Sequence, residues 1–340
     1  MRIVILGWAL FFLAATSSLA VGYRIRDLGI SGSPSDINDR GQVVGTYHGA
    51  DYSTHAFLWE DGSPLQSLDA FANGASSHAY CINEQGQVVG MADTSGDGPY
   101  ACIWKKGSSV RSLALGGEGS AIGINNAGQV LAWSMIRYHA YLWQEGFTTK
   151  DLGASLPKSI NDNSDILFGG FTSYGHYPSY LLMHDGSVQN LPTLGGSYTE
   201  PYHVNNNGQV VGASWVAGNS VSHAFLWQQG LPMQDLGTLT GTRSQATDIN
   251  DRGQVVGWYE TADYHAGAFV WQDGAMQDLG TLGGTYSYAY AINNSGVIVG
   301  TAADAAGHAH AVLWEQVPEP SSLLALGGGL GALGLLRRRK

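Results

Sequence analysis

Several tyrosine, histidine and charged residues recur at corresponding places in this sequence and could bind a polar ligand. Tyrosine rings can stack on the faces of sugars, and carboxylates accept hydrogen bonds from hydroxyl groups. The candidate site residues are His78, Glu118, Tyr198, Glu200, Arg243, Tyr286 and Tyr288, extended by Tyr52, Tyr177 and Tyr264. If the fold brings them to one concavity, they predict a binding site for a ligand such as a glycan.

Glu118 and Glu200 are the two acids that could act as a catalytic pair. Glycoside hydrolysis needs two carboxylates about 5–10 Å apart on either side of the scissile bond. These two glutamates belong to separate, non-adjacent repeats. A glycoside hydrolase or lyase is therefore the alternative to a binding protein, and we assign no catalytic residue.

Metal binding is not predicted. Side chains in separate repeats are too far apart to meet at one tetrahedral ion, so the repeat histidines are expected to make structural hydrogen bonds. These are His55, His139, His223 and His310. The segment DINDRG at 36–41 begins like a calcium loop, but its fifth residue is Arg40 and no glutamate follows at position 12. We expect neither a metal ion nor another cofactor.

Cys81 and Cys102 are the two cysteines of the chain, and the strand-like segment QVVG lies between them. They are therefore expected on the first and third strands of one sheet, about 9–10 Å apart. A disulfide allows no more than about 7 Å between Cα atoms. We predict two buried free thiols, and a bridge between them would contradict the strand order.

A unit that occurs seven times must position all of these side chains. Its first motif is DINDRGQVVG at 36–45, with the shared asparagine at positions 38, 83, 125, 161, 205, 250 and 293. A second motif, HAFLWEDG at 55–62, and a third, RDLG at 26–29, recur with the same period. Repeats of this length are typical of architectures in which each unit packs on its neighbours.

Each unit predicts four short β-strands. Asn38 and Gly41 suit the first and fourth positions of a type I turn, which closes a tight hairpin. The segments QVVG and AFLW are continuous apolar runs, as expected for sheets covered on both faces. Four-stranded units with covered faces are typical of a β-propeller.

The order of the motifs predicts how the ring closes. RDLG precedes the first Asn-Gly turn, whereas the last unit ends after HAVLWEQ at 310–316. The N-terminal strand can therefore complete the last blade, which removes two exposed sheet edges. We predict an all-β, seven-bladed propeller with four-stranded blades over residues 21–316. An open β-solenoid is the alternative, but it would not explain the displaced strand.

The two faces of this propeller are expected to differ. Both tight turns of each unit fall on one face (the tight-turn face), and the longer loops fall on the other (the loop-rich face). If the first strand of each blade lies nearest the axis, seven of the candidate residues surround the mouth of the channel on the loop-rich face. These are His78, Glu118, Tyr198, Glu200, Arg243, Tyr286 and Tyr288. Tyr52, Tyr177 and Tyr264 would lie in the loops between the second and third strands.

The charge of the chain limits its possible partners, and its N-terminus indicates where the protein is located. The chain has 16 Lys and Arg against 27 Asp and Glu, and its two ends hold five of those cations and one acid. The body thus has 11 cations against 26 acids, which excludes nucleic acid because a phosphate backbone requires clustered cations. Residues 1–20 have the pattern of a signal peptide cleaved after Ala20. An N-terminal membrane anchor is the alternative.

The repeats resemble HAF repeats, named for the His-Ala-Phe found here at 55–57 and 223–225. The resemblance covers nearly the whole body but departs in the fourth unit, where Ser164 replaces glycine and Met183 replaces tryptophan. That blade is expected to be the least regular. The HAF family has no established enzymatic activity for its repeats, so this resemblance informs location more than chemistry.

The tail, residues 317–340, resembles the PEP-CTERM sorting signal. It contains Pro318, Glu319 and Pro320, a short apolar segment and four terminal cations. The resemblance implies export from a Gram-negative bacterium that makes extracellular polysaccharide, with processing by an exosortase-type membrane protease. Membrane contact would occur only through the tail before processing, since its cations hold that end on the cytoplasmic side.

The sequence therefore predicts an exported cell-surface or matrix propeller that acts as a binding or structural module. Its expected partners are the processing protease and an extracellular glycan. A purely structural matrix component and an enzyme are the other two possibilities, because fold alone does not determine function.

Overall fold

The computed structural model describes residues 22–49, 53–72, 76–94, 98–172 and 175–317. Their regular structure consists of β-strands in seven four-stranded sheets. The predicted seven-bladed β-propeller is therefore confirmed. Within the described residues, no helix is long and apolar enough to cross a membrane. The residues that lie outside the described ranges include Tyr52, the signal peptide with Ala20, and Pro318, Glu319 and Pro320 of the tail.

The strands follow one another blade by blade, from the axis outwards. Blade 1 contains β2 (Gly32–Ile37), β3 (Val43–His48), β4 (Thr54–Trp59) and β5 (Gln66–Leu68). Blade 2 contains β6 (Ser77–Ile82), β7 (Val88–Ala92), β8 (Tyr100–Trp104) and β9 (Arg111–Ser112). Blade 3 contains β10 (Gly119–Ile124), β11 (Gln129–Ser134), β12 (His139–Gln144) and β13 (Lys150–Gly153). Blade 4 contains β14 (Pro157–Ile160), β15 (Ile166–Thr172), β16 (Gly175–Leu182) and β17 (Val188–Asn190).

The remaining blades repeat this order until the last one. Blade 5 contains β18 (Gly195–Val204), β19 (Gln209–Val216), β20 (Ser222–Gln228) and β21 (Gln234–Gly237). Blade 6 contains β22 (Ser244–Ile249), β23 (Val255–Glu260), β24 (Ala266–Gln272) and β25 (Ala275–Asp278). Blade 7 contains β26 (Gly283–Ile292), β27 (Ile298–Asp304), β28 (Ala309–Val317) and, as its fourth strand, β1 (Gly22–Asp27).

The N-terminal strand closes the ring, as the order of the motifs predicts. The backbone N–H of Leu28, which follows β1, donates to the carbonyl of Ala311 at 2.9 Å. Arg24 on β1 forms an ion pair with Glu315 on β28 at 2.8 Å. A closed ring of blades contradicts the open solenoid.

The apolar runs of the repeat pack between neighbouring blades. Val44 and Ala56 of blade 1 and Val88 of blade 2 belong to one buried cluster and are at most 1% exposed. The glycine that ends the QVVG motif is required by a close approach of strands. A Cβ at Gly90 would lie 1.9 Å from the carbonyl oxygen of His78 on the innermost strand of the same blade.

The repeated asparagine joins the blades through a closed ring of hydrogen bonds, which we call the asparagine ring. In every blade its side-chain amide donates to the backbone carbonyl of the matching asparagine in the next blade, at 2.9–3.2 Å. The members are Asn38, Asn83, Asn125, Asn161, Asn205, Asn250 and Asn293, and they are 3–5% exposed. The sequence predicts only their role in turns, whereas the structure adds this contact between blades.

A second ring lies beside the first and involves the residue after each ring asparagine. The backbone N–H of that residue donates to a side-chain oxygen of its counterpart in the next blade, at 2.6–2.9 Å. The members are Asp39, Glu84, Asn126, Asp162, Asn206, Asp251 and Asn294. A side chain with an oxygen that accepts a hydrogen bond therefore occupies this position in all seven repeats.

Three of the repeat histidines pair with the aspartate of the third motif. The pairs are His139 with Asp151, His223 with Asp235 and His310 with Asp27, each with a shortest separation of 2.9 Å. His55 contacts the hydroxyl of Ser53 instead. These contacts lie within single blades and provide the structural hydrogen bonding that the sequence predicts.

The cysteines and blade 4 also follow the sequence. Cys81 on β6 and Cys102 on β8 are free, with β7 between them. Cys102 is buried as predicted, but the predicted burial of Cys81 is wrong, because that residue lines the central channel and is only partly buried. In blade 4, Ser164 adopts a φ of 68°, and the pairing of β15 with β16 shifts register after Phe168.

Candidate functional site

The central channel is bounded by the innermost strands β2, β6, β10, β14, β18, β22 and β26. Each of them starts near the loop-rich face and ends at the asparagine ring. A β-bulge near that end adds one residue and re-aims its side chain. Register shifts around Tyr80 and Tyr290 mark two of these bulges, and both tyrosines line the inner part of the channel.

A ladder of tyrosines runs along β26 from the loop-rich mouth towards the interior. The ring centroids of Tyr286 and Tyr288 are 6.2 Å apart, and those of Tyr288 and Tyr290 are 6.4 Å apart with nearly parallel planes. Trp258 of blade 6 meets Tyr288 edge to face at 6.1 Å. Alternate residues of a strand point to the same face, so the spacing of two in the sequence produces this ladder.

A charged cluster lies on β14 and β18 of blades 4 and 5. Nζ of Lys158 is 3.3 Å from Oε1 of Glu200 and 4.9 Å from the centre of the Tyr202 ring. Burial, together with the negative charge of Glu200, raises the pKa of both Tyr198 and Tyr202. The phenols therefore stay protonated over the whole physiological pH range and can donate hydrogen bonds.

The other predicted channel residues are spread around the same mouth. His78 stacks on Tyr80 with centroids 6.4 Å apart, and burial lowers the pKa of His78. The carboxyl group of Glu118 lies against Gly98, where a Cβ would approach its Cδ to 2.3 Å. Arg243 is exposed at the start of β22.

Two predicted residues lie in the outer loops and strands instead. Tyr177 on β16 meets Trp133 of blade 3 edge to face at 6.5 Å. Tyr264 sits at the tip of the turn between β23 and β24, has a φ of 60° and is 85% exposed. Neither contributes to the ladder or to the charged cluster.

A cavity of about 310 Å³ occupies the opposite end of the channel, next to the asparagine ring. The polar side chains that line it include Asp36, Cys81, Lys158, Ser159, His203 and Asp248. The sequence reasoning did not select it as a ligand site. Its signal was a position two residues before the ring asparagine, which varies among Asp, Cys, Gly, Ser, His and Ala while the residue that follows it is Ile or Val in every repeat.

Asp36 and Asp248 occupy this variable position in blades 1 and 6. Oδ2 of each accepts a hydrogen bond from the next blade, from the N–H of Ile82 at 2.9 Å and of Ile292 at 2.8 Å. Oδ1 of Asp248 also lies 3.3 Å from Nδ1 of His203. Desolvation raises the pKa of Asp36 to about 6, the hydrogen bond from Ile82 opposes this rise, and the charge of Asp248 adds to it.

Asp36 makes the stability of the propeller depend on pH. Its pKa in the folded state, about 6, exceeds its ordinary value of 3.8, so its stabilising contribution is full below about pH 4 and is lost as pH rises through 6. We expect the free energy of unfolding of the wild type, relative to Asp36→Asn, to fall by about 1–3 kcal/mol between about pH 4 and pH 7. Denaturant titrations at several pH values measure this difference, and a constant value would contradict the prediction.

Within the part of the chain that the structure describes, no group of three or more His, Cys, Asp or Glu side chains could hold a metal ion. The charged side chains around the channel pair with one another, as Asp248 does with His203 and Lys158 with Glu200, or accept hydrogen bonds from backbone N–H groups. Their arrangement is suited to hydrogen bonding and charge recognition.

Comparison with known proteins identifies the tail and the fold. Residues 316–340 match the PEP-CTERM protein-sorting motif, which indicates an exported protein that is tethered to the membrane before processing. No curated protein matches the chain. The structural similarities are at 10–11% identity, so they establish the fold alone.

Three solved structures illustrate that similarity. Virginiamycin B lyase from Staphylococcus aureus has 10% identity and a TM-score of 0.58, with 87% of this chain and 100% of that chain covered. The β-propeller domain of the Trilobed protease from Pyrococcus furiosus has 11% identity and a TM-score of 0.57, covering 85% and 97%. The acylaminoacyl peptidase of Pyrococcus horikoshii has 11% identity and a TM-score of 0.56, covering 86% and 53%. The sorting motif and the fold together describe an exported β-propeller protein.

Proposed function

We propose that this protein is an extracellular binding module that holds a glycan, such as exopolysaccharide, at the loop-rich mouth of its channel. The observation that carries the proposal is the tyrosine ladder of β26. Tyr286 and Tyr288 are partly exposed at that mouth. A polysaccharide repeats apolar sugar faces along its length, so a row of rings can engage successive units.

The charged cluster complements the ladder with hydrogen-bonding groups. Glu200 supplies acceptors and Lys158 supplies donors, and their mutual ion pair fixes both side chains in place. Tyr198 and Tyr202 add phenol groups to the same wall. Convergence of a few polar groups with aromatic rings in one concavity is the usual composition of a site for a small or extended polar ligand.

Export supports the same proposal. The PEP-CTERM match is a sorting signal that directs the protein to the membrane for processing. The predicted signal peptide, the exosortase-type protease and a place at the cell surface or in the matrix complete this proposal. A glycan of the extracellular matrix is the ligand that such a protein would meet.

We favour binding over hydrolysis because of how the two candidate acids are engaged. Lys158 neutralises the charge of Glu200, and Glu118 packs against Gly98. Retaining and inverting hydrolases instead need two carboxyl groups that face one scissile bond. If the wild type cleaves polysaccharide and Glu200→Gln abolishes the cleavage, a hydrolase or lyase replaces the binding proposal.

Binding to the exopolysaccharide of the native host tests the proposal directly. Tyr288→Ala removes the central ring of the ladder, and we expect it to weaken binding about tenfold, which corresponds to roughly 1.4 kcal/mol. Isothermal titration calorimetry measures the affinity. The matched control is Tyr264→Ala, because that ring is exposed in an outer turn.

The results of these measurements distinguish where the polysaccharide binds from whether the protein binds it at all. A loss of affinity in Tyr288→Ala, together with an unchanged affinity in Tyr264→Ala, supports a binding site at the mouth of the channel. The reverse pattern would move the site to the outer loops. Absence of binding by the wild type to any host or model polysaccharide would sink the proposal and favour a purely structural role.

A further inference from the structure

We infer that the cavity at the tight-turn end of the channel is a second binding site, which takes a small organic cation, an amine about the size of one sugar residue. This inference goes beyond the proposed glycan site and rests on Asp36, Ser159 and Asp248, which have no part in that site; Lys158 borders both. The cavity volume of about 310 Å³ lies at the lower end of the range for small-molecule sites.

Ser159 is the first observation that points to a ligand there. Its residue is 5% exposed and lines the cavity, and its hydroxyl makes no hydrogen bond with any described residue. The hydroxyl is not among the fully buried unpartnered atoms of the described residues, so it opens to the cavity and can hydrogen-bond with a bound group there. Ser159 occupies the variable position in blade 4, the position that holds His203 in blade 5 and Asp248 in blade 6.

The two carboxylates are the second observation. Asp36 and Asp248 flank blade 7, which contributes the small residue Ala291 between them. Backbone N–H groups hold both carboxylates in fixed positions, yet an ionised carboxylate has about four acceptor positions. Each therefore keeps capacity for a donor from the cavity, and an ammonium group has three N–H donors to offer.

The charge balance of the lining favours a cation over an anion. Lys158, which also lines the cavity, is already neutralised by Glu200. His203 contacts Asp248 but leaves Asp36 without a cationic partner among the described residues of the lining. Binding of an amine would restore neutrality in this enclosed space, where an unpaired charge is costly.

The entrance to the cavity is acidic as well. Four carboxylates of the second ring surround it, from Asp39, Glu84, Asp162 and Asp251. The amides of Asn126, Asn206 and Asn294 stand between them and donate hydrogen bonds to three of these acids. Glu84 is paired with Arg40 at 4.0 Å, but Asp39, Asp162 and Asp251 leave an excess of negative charge, which would raise the local concentration of cations at the entrance.

A pair of sugars that differ in one group tests the inference on the full chain. Glucosamine carries an ammonium group where glucose carries a hydroxyl, so calorimetry with each at low salt separates charge from shape. We expect glucosamine to bind at least about tenfold more tightly than glucose. Equal affinities would show a polyol site, and no binding of glucosamine would overturn the inference.

Variants then locate the site. Asp248→Asn is expected to weaken glucosamine binding by at least about tenfold, and Ser159→Ala by about threefold to tenfold. Ser159→Ala removes no hydrogen bond to a described residue, so it should fold even if Asp248→Asn does not. Asp273→Asn, in the exposed turn between β24 and β25, is the matched control.

The two binding sites are also separable by experiment. Ser159→Ala should leave polysaccharide binding at the loop-rich mouth unchanged. Glucosamine affinity that is identical in Ser159→Ala and in the wild type would overturn the placement of the ligand in this cavity. That result would leave the glycan proposal untouched, because Ser159 has no part in it.

Discussion

Asn205→Ala is expected to lower the free energy of unfolding of the propeller by about 3–5 kcal/mol, because each buried polar group left without a partner costs about 1–3 kcal/mol. Oδ1 of Asn205 accepts from the N–H groups of Asn207 and Gln209 at 3.1 and 2.9 Å. Its Nδ2 donates to Oε1 of Gln209 at 2.8 Å and to the carbonyl of Asn250 in the next blade at 2.9 Å. Alanine removes all four bonds in a residue that is 4% exposed.

The measurement is chemical denaturation of the wild type and the variant under the same conditions. Asn190→Ala is the matched control, since Asn190 is exposed on the outermost strand of blade 4 and should change stability by less than about 0.5 kcal/mol. Asn205→Asp keeps the acceptor but turns the donor into an oxygen that faces the carbonyl of Asn250. A loss in Asn205→Ala no larger than in Asn190→Ala would contradict a stabilising role for the asparagine ring.

Removal of β1 is expected to have the largest effect on the fold as a whole. Tyr23 and Ile25 pack against the buried cluster that contains Leu279 and Trp314, so their loss uncovers apolar surface in blade 7. It also leaves β28 as an open edge, which can pair with another chain and aggregate. We expect the melting temperature to fall by more than about 10 °C, since each kcal/mol shifts it by about 2–4 °C in a protein of this size class.

The test compares a chain that starts at residue 22 with one that starts at residue 28. Thermal unfolding reports the melting temperature, and size-exclusion chromatography reports association through the open edge. Arg24→Ala is the control, because its ion pair with Glu315 is largely exposed and contributes at most about 1 kcal/mol. Equal melting temperatures for the two chains would mean that the ring does not depend on its N-terminal strand.

The fold could be predicted almost entirely from the spacing of motifs. Strand number per blade, blade number and the closing strand all follow from patterns within one repeat and from the place where the pattern starts. The free cysteines follow from the same strand order. The hairpins are local, because they form between segments that are close in the chain, whereas the closing strand was predictable from the place where the repeat pattern starts and ends.

The candidate sites could be predicted only in part. The alternation in TYSYAY at 285–290 made Tyr286 and Tyr288 visible as residues of one face. The pairing of Lys158 with Glu200 was not predictable, since it depends on the angle between two blades and on a bulge in each inner strand. The cavity was missed because its polar residues come from separate repeats, at positions where the repeats differ from one another.

The sequence by itself determined seven blades, their strand order, the N-terminal closure and the sorting tail, since each depends on residues that are near one another or at a constant period. Only the tertiary structure decided what meets at the axis. Asn293 reaches Asn38 across 255 positions of the chain, and Asp248 reaches Ile292 in the next blade. Both contacts exist because seven wedge-shaped blades pack side by side and bring their inner strands together. That packing joins the turn asparagines in a ring of hydrogen bonds and places the variable residues around a cavity.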